Sequence, residues 1–218
     1  MKSKHKLVLR PLLAMAIGCA AIAMVASSAF AATIISEWDT VKAPPPPKLE
    51  HLTVNPKTTA LLVLDLIKET CNEKVRPMCL QSLPQVAKLI KAARASHTLV
   101  VYSVIPGPAK IADTLPEVKP LGTEPVVKSG PDKFIHTDLE KILHSHGIKT
   151  VIVVGTAAEG AVNYTASHAA LLGFNVIVPV DGMSSATNYA DQYVAWNLVN
   201  APVVAAKVKL SAVDMLKF

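Results

Sequence analysis

Aromatic residues make up only 5% of this 218-residue chain, and charged residues only 17%. No basic face interleaved with aromatics can be drawn from so few of either, so a nucleic-acid partner is not expected. Cysteine is almost missing, with three in all, at Cys19, Cys71 and Cys79. No second Cys/His pair stands at a matching spacing, which argues against a structural zinc site. Glycine is sparse too, at nine residues. The segment DLIKET (65–70), which follows the first internal apolar run, is no Gly-rich phosphate loop. That argues against a dinucleotide-binding enzyme, and no cofactor is expected. The chain is nevertheless long enough for one domain with a substantial core.

The N-terminus has its own character. Lys2, Lys4, Lys6 and Arg10 precede the apolar run PLLAMAIGCAAIAMVA, and Ala29-Phe30-Ala31 closes the segment. A basic start, an apolar middle and an A-x-A end form a secretory signal peptide, expected over 1–31 with cleavage after Ala31. The run falls short of the ~20 residues of a membrane span, so no span is expected after its removal. Cys19 lies inside the apolar middle, and its flank matches a lipoprotein box only weakly. The formal charge of +6 shrinks once those four cations leave, to about +2, so the basic balance is partly a targeting feature. Export places the protein in the periplasm or outside the cell. There a disulfide between Cys71 and Cys79 is the default, with a free reactive thiol as the alternative.

Residues 32–57, with APPPPK at 43–48, read as a Pro-rich lead-in of polyproline II character. From 58 to 218 the pattern alternates. ALLVLDL (60–66), TLVVYSV (98–104), PVVK (125–128), TVIVVG (150–155), NVIVPVDGM (175–183) and VVAAKVKLS (203–211) read as strands. SLPQVAKLIKAARAS opens on Ser82 as N-cap and places Val86, Leu89, Ile90 and Ala93 on one helical face. TDLEKILHSHG, AVNYTASHAALLG and NYADQYVAWNLV read as further helices, with Gly147 and Gly173 as stops. Residues 106–125 hold five prolines and two glycines and read as an irregular excursion. Six strands with four helices predict an α/β fold: a three-layer αβα sandwich around a mostly parallel six-stranded sheet.

Ligands of such sheets bind at the carboxyl ends of the strands. Asp65 stands at the end of the first strand and Lys128 at the end of the third. The elbow 155–161 follows the fourth, and Asp181 ends the fifth. A strand-to-helix elbow is a usual mount for a nucleophile, yet the position here is Ala161. Lys133 competes with Lys128, although its place before Phe134 looks structural. Glu159 sits where it could face a substrate. Asp181 reads as a turn or cap, and His168 as a core or interface residue. His144 and His146 are two apart, on different helical faces, so no metal is expected there. Cys71 is six residues beyond Asp65 and, if reduced, would be a second candidate thiol.

VLDLIKE, VVKSGPDKF with TDLEKIL, and VIVVGTAAEGAVNYTASHAALLGFNVIVPVDGMSS together resemble the isochorismatase-like hydrolases, the cysteine hydrolase superfamily. The resemblance spans roughly 58–210. It implies a catalytic Asp at Asp65, a Lys at Lys128 and a cysteine position at Ala161, which here can offer only backbone. It also implies an oxyanion site of backbone N–H groups around a cis bond at Ala157–Ala158, so Ala157, Ala158 and Glu159 are the expected substrate-binding residues. Alanine at 161 is incompatible with a thiolate acyl-enzyme. It is compatible with the isochorismate-cleaving members, where a small residue stands at the elbow and the Asp protonates a vinyl ether. Metal-bearing relatives carry Asp-x-His after the second strand; the corresponding YSVIPGP (102–108) has neither. The expectation is an exported hydrolase acting on a small molecule by Asp/Lys acid–base chemistry. The alternative is an inactive member that binds a ligand or partner. A homo-oligomer fits the apolar helix 188–199.

Overall fold

The computed structural model describes residues 33–218, so the expected signal peptide and Cys19 lie outside the described residues. The contacts divide the chain at Ala43/Pro44 into two units. The described part of the first unit, 33–43, holds one exposed turn of helix, α1 (Ile34–Glu37), capped by Thr33. The second unit, Pro44–Phe218, carries the fold.

Its sheet runs β4 (Val126–Lys128), β3 (Leu99–Val104), β2 (Thr59–Leu64), β5 (Thr150–Thr156), β6 (Asn175–Pro179) and β8 (Val208–Ser211). A seventh, two-residue strand, β7 (Met183–Ser184), pairs with the end of β5 where six strands were expected. Every pairing is parallel. The central strand β2 is buried at all positions, as a strand covered on both faces must be. Its side chains alternate between two cores. Ala60, Leu62 and Leu64 pack with α3 (Leu139–Ser145), α4 (Asn163–Leu171) and α5 (Asn188–Leu198). Leu61 and Val63 pack with Leu83, Val86, Leu89 and Ile90 of α2 (Pro77–Ala95), on the other face. The result is a three-layer αβα sandwich.

Two boundaries differ from the sequence reading. Helix α2 starts at Pro77, not after Ser82; proline is preorganised for the first helical position, and Ser82 instead bonds back to Cys79 O at 2.8 Å. The last strand is confined to β8, because Val203 adopts φ 68° and 204–206 form a 3-10 turn. The lead-in also divides. From Pro44 it belongs to the sheet's unit: Glu50 N–H donates to Leu210 O at 2.9 Å. Further on, β1 (Leu52–Thr53) pairs with β9 (Leu216–Lys217) in a separate two-stranded sheet.

The strand order positions the site. The chain moves outward from β2 to β3 and β4, then returns to lay β5 on the opposite side of β2. The order therefore reverses between β2 and β5, and the carboxyl ends of these two strands are where a sheet of this kind receives a ligand. Asp65 follows β2 there, and residues 157–162 follow β5.

Candidate active site

Asp65 turns off the end of β2 with φ 52°, a left-handed conformation that Asp tolerates better than most side chains. The turn is held by Thr70, whose hydroxyl donates to Asp65 O. The side chain points inward and is 4% exposed. Ser103 Oγ, near the end of β3, donates to Asp65 Oδ1 at 2.7 Å. Oδ2 accepts from Lys133 Nζ at 2.6 Å.

The lysine on Asp65 is thus Lys133, not Lys128. In β4, Val127 is buried while Val126 and Lys128 are exposed, so strand alternation sends Lys128 away from Val127. Its Nζ donates to Gly107 O at 2.7 Å and Ala109 O at 3.1 Å, pinning the Pro-rich excursion. The chain then folds back. Ser129 Oγ donates to Asp132 O and Ile135 O, at 2.9 and 2.7 Å, and the tight loop swings Lys133 under Asp65. Lys133 is fully buried, and its ammonium also donates to Ser129 O at 3.1 Å and Gly130 O at 2.8 Å. Its backbone N–H donates to Thr165 Oγ1 on α4 at 3.2 Å, bolting this loop to the elbow helix.

Burial dominates the titration of both partners. It pushes the Asp65 carboxyl up from its ordinary value, against the opposing pull of Lys133, Ser103 and Arg76. It pushes the Lys133 ammonium down, against the pull of Asp65. The two shifts bring the proton affinities of the pair towards each other, so a proton moves between them more easily than between exposed groups.

The elbow lies against the end of β2 because Gly155, the register partner of Leu64, has no side chain. A Cβ there would sit 2.1 Å from Leu64 O, and the residue adopts φ 133°. The cis bond is Thr156–Ala157, one bond before the expected Ala157–Ala158. A π turn, Ala158–Val162, then opens α4. Gly160 and Val162 N–H groups donate to Ala157 O at 3.1 and 3.2 Å, so these two donors are engaged within the elbow. Ala157 is half-buried, Ala158 is buried, and Ala161 is 4% exposed with only a methyl group to present.

Glu159 is exposed at the rim, and Ser185 Oγ donates to its Oε2. Asp191, on α5, is a neighbour that the sequence reading missed. Its carboxyl is pushed up to about 6, by burial first and by the Glu159 charge second. Its Oδ1 is buried without a hydrogen-bond partner among the described residues. Ser103 was also missed, although a serine near the carboxyl end of an apolar strand is a signal of the kind that singled out Asp65. Asp181 accepts Val213 N–H at 2.9 Å and acts as a cap for a distant turn. His168 Nδ1 meets Asp132 Oδ2 at 2.6 Å and its ring lies 5.0 Å from Phe134. Cys71 and Cys79 are joined by a disulfide, with Cα atoms 5.4 Å apart.

Similar proteins agree on where this architecture belongs. A family profile described as the isochorismatase domain matches residues 59–208. A protein named secreted isochorismatase effector Isc1, from Verticillium dahliae, is 30% identical over 142 residues, covering 60% of this chain and 75% of that protein. An isochorismatase-like hydrolase from Alkaliphilus metalliredigens superposes with a TM-score of 0.65 at 25% identity, covering 72% of this chain and 95% of that one. The N-carbamoylsarcosine amidase of Thermoplasma acidophilum superposes with a TM-score of 0.62 at 22% identity, covering 72% and 97%.

Proposed function

The chain belongs to the isochorismatase family of hydrolases, and from that premise we propose that it is an exported member that hydrolyses a small acid-labile carboxylate, such as an enol ether, through Asp65 and Lys133. The observation that carries this reading is the buried Asp65–Lys133 pair at the switch point between β2 and β5. Ala161 cannot form an acyl-enzyme, so the chemistry falls to the acid.

Proton transfer from the Lys133 ammonium makes Asp65 a carboxylic acid. Asp65 then protonates the terminal carbon of the enol ether, giving an oxocarbenium ion. Water adds to that ion and gives one proton to the Asp65 carboxylate. The hemiketal collapses to an alcohol and a keto acid, and the pair regains its starting charge. The basic–apolar–small leader, the Cys71–Cys79 disulfide and a relative named as secreted support export. An exported location makes isochorismate itself, normally a cytoplasmic metabolite, a poor candidate substrate.

A second reading rests on a specific observation. Each oxygen of Asp65 holds a hydrogen bond, and Lys133 Nζ donates to three acceptors. A pair so fully engaged suits a binding protein that has given up catalysis. Purified mature protein assayed against vinyl ethers, esters, amides and nitriles decides between them, beside Asp65→Asn and Lys133→Gln. The hydrolase reading expects turnover of a vinyl ether that both variants abolish. Turnover that survives Asp65→Asn unchanged overturns the mechanism, and no turnover of any class favours the binding protein.

A further inference from the structure

We propose that Arg76 is the carboxylate anchor of this site, held in place by the loop that the Cys71–Cys79 disulfide closes. This deepens the proposed hydrolase function, on which it rests for the substrate class.

Two arginines lie among the described residues, and they are used differently. Arg94 is neutralised: Glu124 takes two of its hydrogen bonds, and Tyr102 and Lys119 take two more. Arg76 is half-buried, yet among the described residues its guanidinium makes one hydrogen bond, to Thr70 O at 3.0 Å, and no salt bridge. Thr70 is the residue whose hydroxyl holds the Asp65 carbonyl. The guanidinium is therefore one residue removed from the backbone of the catalytic acid, close enough for its charge to act on the Asp65 carboxyl.

Asp65 and Lys133 satisfy each other, whereas the Arg76 guanidinium has no carboxylate partner among the described residues. A guanidinium has five donors in a planar fork that matches a carboxylate, and one of those donors is occupied here. An anionic substrate supplies both the missing charge and the missing acceptors. The disulfide fixes the segment: Arg76 lies between Cys71 and Cys79, both buried, and is the N-cap residue of α2. Closing the loop restricts where the guanidinium can go before a ligand arrives.

The test is binding of pyruvate, a keto acid of the product class, compared with its neutral amide, by ligand-observed NMR titration of the mature chain. Expected is a preference of about tenfold or more for the carboxylate in the native protein, lost in Arg76→Gln and partly kept in Arg76→Lys. Cys71→Ser with Cys79→Ser should weaken the preference while the far-ultraviolet spectrum is retained. Equal binding of pyruvate and pyruvamide by the native protein, or an unchanged preference in Arg76→Gln, overturns the anchor. Asp65→Asn separates the two proposals. It removes turnover under the catalytic reading and leaves the carboxylate preference in place under this one.

Discussion

Replacing Lys133 by methionine keeps most of the side-chain volume and removes the charge opposite Asp65. The pair is sealed from solvent, with side-chain exposures of 0% and 4%, so water cannot take over the role of the ammonium. Stripping one partner from such a buried pair costs about 3–5 kcal/mol, because the remaining charge is left uncompensated. The sign with pH follows from Asp65. Burial already raises its folded pKa above that of an ordinary exposed carboxylate, and losing Lys133 raises it further. The folded variant therefore binds a proton that the unfolded chain has released, so its stability falls as pH rises from about 4 towards neutrality. Urea denaturation at several pH values should show a deficit against the native protein that is largest near neutral pH and shrinks towards pH 4. Asp65→Asn combined with Lys133→Met removes both charges and should recover most of the loss. Lys128→Met is the control. Its ammonium serves two loop carbonyls near the surface, and about 1 kcal/mol or less is expected. A Lys133→Met deficit under about 1 kcal/mol, or one matched by Lys128→Met, refutes the assignment of Lys133 to Asp65.

Gly155→Ala drives a methyl group to within 2.1 Å of Leu64 O at a φ of 133°, and should lower the denaturation midpoint by the equivalent of about 2 kcal/mol or more. Reducing the disulfide, whose cysteines are eight residues apart, should cost about 2–3 kcal/mol by the loop-entropy argument, read as the shift in denaturation midpoint with and without reductant. Thiol titration of the unfolded, unreduced mature chain should find no free thiol; two per chain refutes the pairing. Asp191 is pushed up to about 6, above the ordinary carboxylate range, so the fold favours its protonated form, and this residue makes stability fall as pH rises through that window. Asp191→Asn should flatten that part of the stability–pH curve, and carboxyl-carbon NMR should find the midpoint lowered in Glu159→Gln.

The apolar runs carried the fold. LLVL and VIVV are short continuous apolar runs of the kind buried parallel strands need, VIVV β-branched throughout, and Asp65 was found because an acid directly follows the first of them. The two lysines show where sequence stops. Lys128 ends a strand and looked like the site residue, but three residues of β4 decide which way it faces, through the burial of Val127. Lys133 reaches Asp65 only because a loop reverses under Ser129, and no local pattern announces that reversal. Ser82 has the chemistry of a cap but lies inside α2, since Pro77 sets the start and Pro84 does not end the helix. Asp191 and Glu159 are 32 positions apart and meet through packing of α5 on the elbow, beyond any short-range signal.

The small β1–β9 sheet sets an order of events during synthesis. Leu52 and Thr53 emerge from the ribosome long before Leu216 and Lys217, their partners. The seven-stranded sheet can assemble once residue 211 has appeared, but this edge must wait for six more. Until then, β1 is an unpaired strand next to a finished fold, open to any other extended segment it meets. A truncation or bulky fusion near residue 216 would prolong that interval and expose the nascent domain to mispairing, with no change to the residues around Asp65.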